Sequence, residues 1–174
     1  MLLSSPGGDC IDDMRHLRKD DGLEAMLGYR LPAPETARHW LDGFHDESLT
    51  KESPLHGSFI PRESEGLEGL KEVRRRTIWA YVEAVHPGWD VTFDVDAQLI
   101  GMNKACARYC YEGYKAFQPI EVSWAEMGLV AMDEFRDGNV PAAKDIKMVV
   151  DEAYEMLLPG LWRVKIRSNS AAYQ

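Results

Sequence analysis

Asp94 and Asp96 are the residues of this chain whose type and spacing most plainly invite chemistry. They lie in Val91-Thr-Phe-Asp-Val-Asp-Ala-Gln-Leu-Ile100, where Val91, Phe93 and Val95 alternate with polar residues and predict a short strand. Residues two apart on a strand share a face, so both carboxylates point away from the apolar side. Aspartate is depleted in strands, and like charges side by side repel. Such a pair either has a cation or a proton to share or forms the solvated face of an edge strand.

The elements around this strand divide the chain in two. Residues 1–88 read as a helical, loop-rich region. Ile11, Met14 and Leu17 recur at helical spacing, followed by Leu23, Met26 and Leu27. Pro34 is placed to open a helix that turns Ala37, Trp40, Leu41 and Phe44 inward. Residues 45 to 62 form a polar connector. A longer helix then carries the stripe Leu67, Leu70, Val73, Ile78, Tyr81, Val82 and Val85, and ends at His86-Pro87-Gly88. From residue 89 the period changes. Ile120, Val122 and Trp124 predict a second strand, and Leu129 to Phe135 a third, closing at the turn Arg136-Asp-Gly-Asn139. Pro141 opens a helix with Ala142, Ile146, Val149, Val150, Ala153 and Met156 on one side, and Pro159-Gly160 ends it. Trp162, Val164 and Ile166 alternate with Arg163, Lys165 and Arg167 in a fourth strand. The predicted class is α/β: a helical N-terminal region followed by β-β-β-α-β. The helix before the last strand allows a crossover to a parallel partner. If the fourth strand lies beside the first, its C-terminal end approaches Asp94 and Asp96, and the residue arriving there is Asn169.

Composition narrows the field. The 174 residues are 45% hydrophobic and 28% charged, which is ordinary for a folded domain. No apolar run approaches the ~20 residues needed to cross a membrane, and no signal peptide is recognisable at the N-terminus; a cytoplasmic protein is expected. Three cysteines make no disulfide framework, and Cys106 and Cys110 read as buried thiols. The net charge of −9 counts against general nucleic-acid binding, so any such role must rest on local basic patches. Two exist: Lys71 with Arg74, Arg75 and Arg76, next to Glu68 and Glu72, and the row Arg163, Lys165 and Arg167. The histidines show no ligand spacing, and none is assigned a role.

Asp94-Val-Asp96, Cys110-Tyr-Glu-Gly-Tyr-Lys-Ala-Phe-Gln-Pro119, Phe135-Arg-Asp-Gly-Asn139 and Ile166-Arg-Ser-Asn-Ser-Ala-Ala-Tyr-Gln174 occur in the order found in one family. The segment resembles the catalytic domain of bacterial insertion-sequence DDE transposases with an RNase H-like fold. Gly7-Gly-Asp-Cys-Ile-Asp-Asp13, Leu17-Arg-Lys-Asp-Asp-Gly-Leu23 and Phe44-His-Asp46 resemble that group's upstream helical region. The resemblance implies DNA transposition, with transposon ends as the partner. It also implies two Mg²⁺ or Mn²⁺ ions roughly 3.5–4 Å apart, held by two Asp and one Glu for phosphodiester cleavage and strand transfer. The first Asp maps to Asp96, with Asp94 as the alternative; Gln98 stands where the family has a small polar residue. The second Asp falls at Asn169, and the Glu belongs to a later helix beyond the matched residues. A truncated, catalytically inactive member is therefore expected, with metal binding in doubt. By the same analogy Lys115 and Arg136 would contact DNA phosphates, or pair with Glu112 and Asp137 instead, and Arg163, Lys165 and Arg167 would lie along DNA or form a solvated sheet face. Apolar surface left open on the first and fourth strands would favour self-association.

Three other expectations stand beside this one. Tyr109, Tyr111, Tyr114 and Phe117 could form a base-stacking platform or a packed aromatic loop. A regulatory remnant would bind transposon ends or a transposase through the helical half and the Lys71–Arg76 patch without cutting. Phe93-Asp-Val-Asp-Ala-Gln-Leu99 is also similar to the nucleophile motif of haloacid-dehalogenase-type phosphatases, with Asp94 as nucleophile and Asp96 as general acid. That family has Thr or Val where this chain has Gln98.

Overall fold

Exposed ion pairs link the first helical elements, around few buried apolar side chains. In a computed structural model, residues 10–169 are described except 53, 55, 87, 89 and 161. The leading Gly7, Gly8 and Asp9, the Pro87 helix stop and Ser170 to Gln174 of the quoted motifs lie outside the described residues. The chain forms two compact units: Met1–Glu47 with Ser64–Gly66, and Ser48–Glu63 with Leu67–Gln174.

In the first unit a 3₁₀ turn at Ile11–Asp13 leads into α1 (Met14–Leu17), α2 (Asp21–Leu27) and α3 (Pro34–Asp42). The Asp20 side chain accepts a hydrogen bond from the Leu23 N–H and caps α2, and Gly28 ends it in the left-handed conformation at φ 76°. Asp12 pairs with Arg15 and Arg38, and Arg15 also reaches Glu35. Only Leu31 and Pro34 are buried among this unit's described residues. Trp40 and Leu41, expected to point inward, are exposed. Among the described residues this nine-residue helix, opened by Pro34, has no sheet in its own unit to bury that stripe against.

The second unit opens with α4 (Glu47–Lys51), a short helix inside the stretch expected to be connector, and continues into α5 (Glu65–Val85), whose first two residues fall in the first unit. The core-facing line of α5 is narrower than its apolar residues suggested. Ile78 and Val82 are buried, whereas Val73, Tyr81 and Val85 are exposed. Seven apolar residues spread round the 3.6-residue turn cannot all face one way. Lys71, Arg75 and Trp79 lie on or beside the inner line, with the Arg75 guanidinium 4.5 Å from the centre of the Trp79 ring.

The sheet follows the alternation read from the sequence. Strands β1 (Asp90–Ala97), β5 (Ile120–Trp124), β6 (Leu129–Glu134) and β7 (Arg163–Ser168) form one mixed sheet in the order β6-β5-β1-β7. Between β1 and β5 the chain adds a small second sheet of β2 (Ile100–Gly101), β3 (Arg108–Tyr109) and β4 (Lys115–Phe117), in the order β2-β4-β3. β1 runs antiparallel to β5 and parallel to β7, with Asp94 opposite both Ser123 and Arg167. Val91, Phe93, Val95, Val122, Trp124 and Met132 form the inner face, covered by Ile78 and Val82 of α5 and by Val149 and Ala153 of α6 (Ile146–Glu155). The apolar side of β1 is therefore closed rather than open as expected. On β7 the expectation holds in part, since Ile166 is 56% exposed at the sheet edge. Among the described residues no helix is long and apolar enough to cross a membrane.

Helix α6 begins five residues later than Pro141 suggested. The Arg136 Nη1 donates to the carbonyls of Ala142 (3.5 Å) and Lys144 (2.7 Å), drawing them out of helical register. Asp145 then takes a positive φ of 53° before the helix starts.

Candidate functional site

The polar side of β1 carries three separate arrangements. At Thr92, the Glu126 carboxylate from the β5–β6 turn accepts from the backbone N–H at 2.8 Å and from the hydroxyl at 2.5 Å. Partial burial works against the charge of Glu126, but these bonds outweigh it and hold its carboxyl below the usual range. At Asp94, Arg167 donates from Nε at 2.5 Å and from Nη2 at 2.6 Å, a bidentate pair across adjacent parallel strands. Those bonds and the guanidinium charge lower the Asp94 carboxyl and raise Arg167. At Asp96, the Asn169 amide Nδ2 donates to Oδ1 at 3.0 Å.

The topology explains the last contact. Parallel pairing of β1 with β7 brings the ends of both strands to the same edge, and Asn169 follows the last residue of β7. The two positions singled out in the sequence, 73 residues apart, meet there. Asp94 is not part of that meeting, because Arg167 occupies both of its oxygens.

Two divalent cations need several carboxylate oxygens converging on them. Here one carboxylate meets an amide whose N–H points at it. Among the described residues no three His, Cys, Asp or Glu side chains gather where an ion could sit. The donor set does not fit a two-cation centre.

Asp96 and Asn169 line a cleft of about 920 Å³. Tyr109 at the end of β3 and the loop residues Cys110, Tyr111, Glu112 and Tyr114 line it too. The small sheet that carries this loop was not anticipated from the sequence. Two- and three-residue strands are too short for alternation to register. Gly138 allows the turn after β6 to close against that sheet. A Cβ there would lie 2.3 Å from the Ala116 carbonyl oxygen and 3.1 Å from that of Arg108. Tyr109, Tyr111 and Tyr114 stand exposed on the cleft, whereas Phe117 is buried against Phe135 with ring centres 4.6 Å apart. The charge of Glu112 beside Tyr111, and its hydrogen bond with Tyr114, raise both phenols.

The expected DNA-contacting cations are placed unevenly. Arg136 is buried, with Nε 2.5 Å from Glu134 and Nη1 on the two backbone carbonyls, so it does not present itself to a phosphate. Its ion-pair partner is Glu134, not Asp137. Lys115 lies on β4 with its Nζ 3.5 Å from the Lys104 carbonyl. Arg163 pairs with Asp90 at 3.3 Å, while Lys165 is exposed with no ion pair among the described residues. The Lys71–Arg76 patch is neutralised within the unit. Lys71 bridges Glu63 and Glu152, Arg74 pairs with Asp133, and Arg75 and Arg76 share Glu72. Burial opposes the Lys71 charge, but its two carboxylate partners raise it overall. Cys110 is buried, but Cys106, expected to be buried, is exposed. Glu126 was not singled out in the sequence, and Glu112 only as a possible partner of Lys115. Glu126 lies 34 residues from Thr92, so only the fold brings them together.

The chain matches no protein-family model, no curated protein and no solved structure.

Proposed function

We propose that this chain is a DDE-transposase-like domain with an RNase H-like sheet, disabled for strand transfer at its second acidic position. The observation that carries the proposal is the 3.0 Å contact between Asp96 and Asn169, at neighbouring ends of two parallel strands. The sheet order β6-β5-β1-β7 supports it, because an RNase H-like domain places its fourth strand parallel to its first. An amide in place of the second carboxylate leaves too little negative charge to hold two Mg²⁺ or Mn²⁺ ions. DNA, the partner the resemblance implies, would be held without being cut. Lys165 is the best-placed cation for that contact.

The phosphatase alternative draws less support, since a nucleophilic Asp94 would first have to leave Arg167, which engages both of its oxygens. The regulatory-remnant alternative rested on the helical half and the Lys71–Arg76 patch, and the charges of that patch are paired internally.

Restoring the acid tests the proposal. Without metal, Asn169→Asp sets a second carboxylate against Asp96 and lowers stability through repulsion. Mn²⁺ is expected to raise the Tm of Asn169→Asp, to leave the wild-type Tm unchanged, and to lose its effect in Asn169→Asp combined with Asp96→Ala. If Mn²⁺ does not stabilise Asn169→Asp, the DDE assignment of this pair fails. If the wild-type chain nicks DNA with Mn²⁺ and Asp96→Ala abolishes the nick, the assignment stands but the domain is not disabled.

A further inference from the structure

The cleft beside Asp96 is too well furnished with aromatic surface to be explained by the acid alone. Tyr109, Tyr111 and Tyr114 are 65%, 79% and 40% exposed, and all three line it. Tyrosines left in water gain nothing from burial, so their grouping calls for a ligand or a structural cause. Tyr114 has a structural anchor. Its ring lies across Gly101, where an added Cβ would come within 3.4 Å of the ring. Tyr109 and Tyr111 have no ring stacked on them among the described residues.

Charge selects among ligands. Asp96 and Glu112 line the cleft, and among the described residues no lysine, arginine or histidine does. A phosphate or carboxylate seated there would meet two negative charges and no compensating cation. A cation would meet both carboxylates and the negative faces of the tyrosine rings, the combination that binds ammonium groups. The volume of about 920 Å³ is ample for a small organic molecule or the end of a long side chain.

We propose that this cleft binds an organic ammonium group, free or at the end of a lysine side chain, between the tyrosine faces and the carboxylates of Asp96 and Glu112. The inference does not depend on the transposase proposal, because it uses the lining of the cleft and not the ancestry of Asp96.

The test is a titration of the full chain, read by NMR of the tyrosine rings. Choline is compared with 3,3-dimethyl-1-butanol, its uncharged isostere, and with adenosine, which stacks without carrying charge. Nα-acetyl-lysine amide and its trimethylated form separate a side-chain source from a free ammonium. Saturable shifts with at least one ammonium ligand are expected, about tenfold tighter than with the isostere. Tyr111→Ala and Glu112→Gln should each weaken binding several-fold, and Tyr111→Phe should retain it. Tyr111 and Glu112 are exposed, so these variants should fold, and far-UV circular dichroism checks that they do. Equal binding of the isostere, tighter binding of adenosine, or no saturable shift with any ammonium ligand would overturn the proposal. Loss of Mn²⁺ binding in Asn169→Asp would leave it untouched.

Discussion

The two faces of β1 are built from alternate residues of one strand, yet they follow opposite rules. On one side Val91, Phe93 and Val95 are closed under helices and meet other apolar side chains. On the other, Thr92, Asp94 and Asp96 each meet a polar partner from a different element: Glu126, Arg167 and Asn169. The apolar face derives its stabilisation from area removed from water, which is non-directional and tolerant of detail. On the polar face the Asp94–Arg167 and Asp96–Asn169 pairs are exposed and each is worth little to stability, whereas Thr92 and Glu126 are partly buried; all three are strict in geometry. One face holds the strand in place, and the other presents groups whose exchange changes chemistry more than folding.

Phe93→Ala should break this contrast most forcefully. The ring is fully buried in the centre of the sheet, so its removal leaves a cavity and should cost about 3–5 kcal/mol, read as a lower denaturant midpoint with an unchanged slope. A loss below about 1 kcal/mol would mean that the inner face is not packed as described. Gly138→Ala comes next. A Cβ 2.3 Å from a backbone oxygen forces the turn away from the small sheet, at an expected cost of about 1–3 kcal/mol. Because Gly138 lines the cleft, that variant should also disturb the tyrosine resonances, whereas Phe93→Ala in its folded state should leave them largely in place.

How much of this was legible beforehand follows from the same contrast. Strands long enough to alternate, such as Val91 to Ala97 and Ile120 to Trp124, declared their inner faces through period-two spacing. Placing Asn169 near Asp96 needed only the inference that the fourth strand lies parallel to the first. Features set by individual side-chain contacts were not legible. The late start of α6 depends on the Arg136 guanidinium reaching two carbonyls, and nothing in the spacing of Ala142 and Ile146 announces that. The internal pairing of the Lys71–Arg76 patch was only half visible. Glu72 lies within a turn of Arg75 and Arg76, but Glu152 and Asp133 come from distant elements. Trp40 and Leu41 look like core residues by type, and only the sparse burial in their own unit shows otherwise.

The smallest expected effect sharpens the comparison from the polar side. Arg167 holds the Asp94 carboxyl below its ordinary value of 3.8, so the unfolded chain takes up that proton at a higher pH than the folded chain does. The stabilisation from the pair is therefore complete above the unfolded value and disappears as pH falls through the lower, folded one. Asp94→Asn removes this dependence while leaving a side chain of similar size facing Arg167. Unfolding curves of the two proteins should differ slightly near neutral pH, less in high salt because both partners are exposed, and converge in strong acid. A difference that survived at the acid end would show that Asp94 contributes through shape rather than charge, and the two faces of β1 would then differ less than their residue types imply.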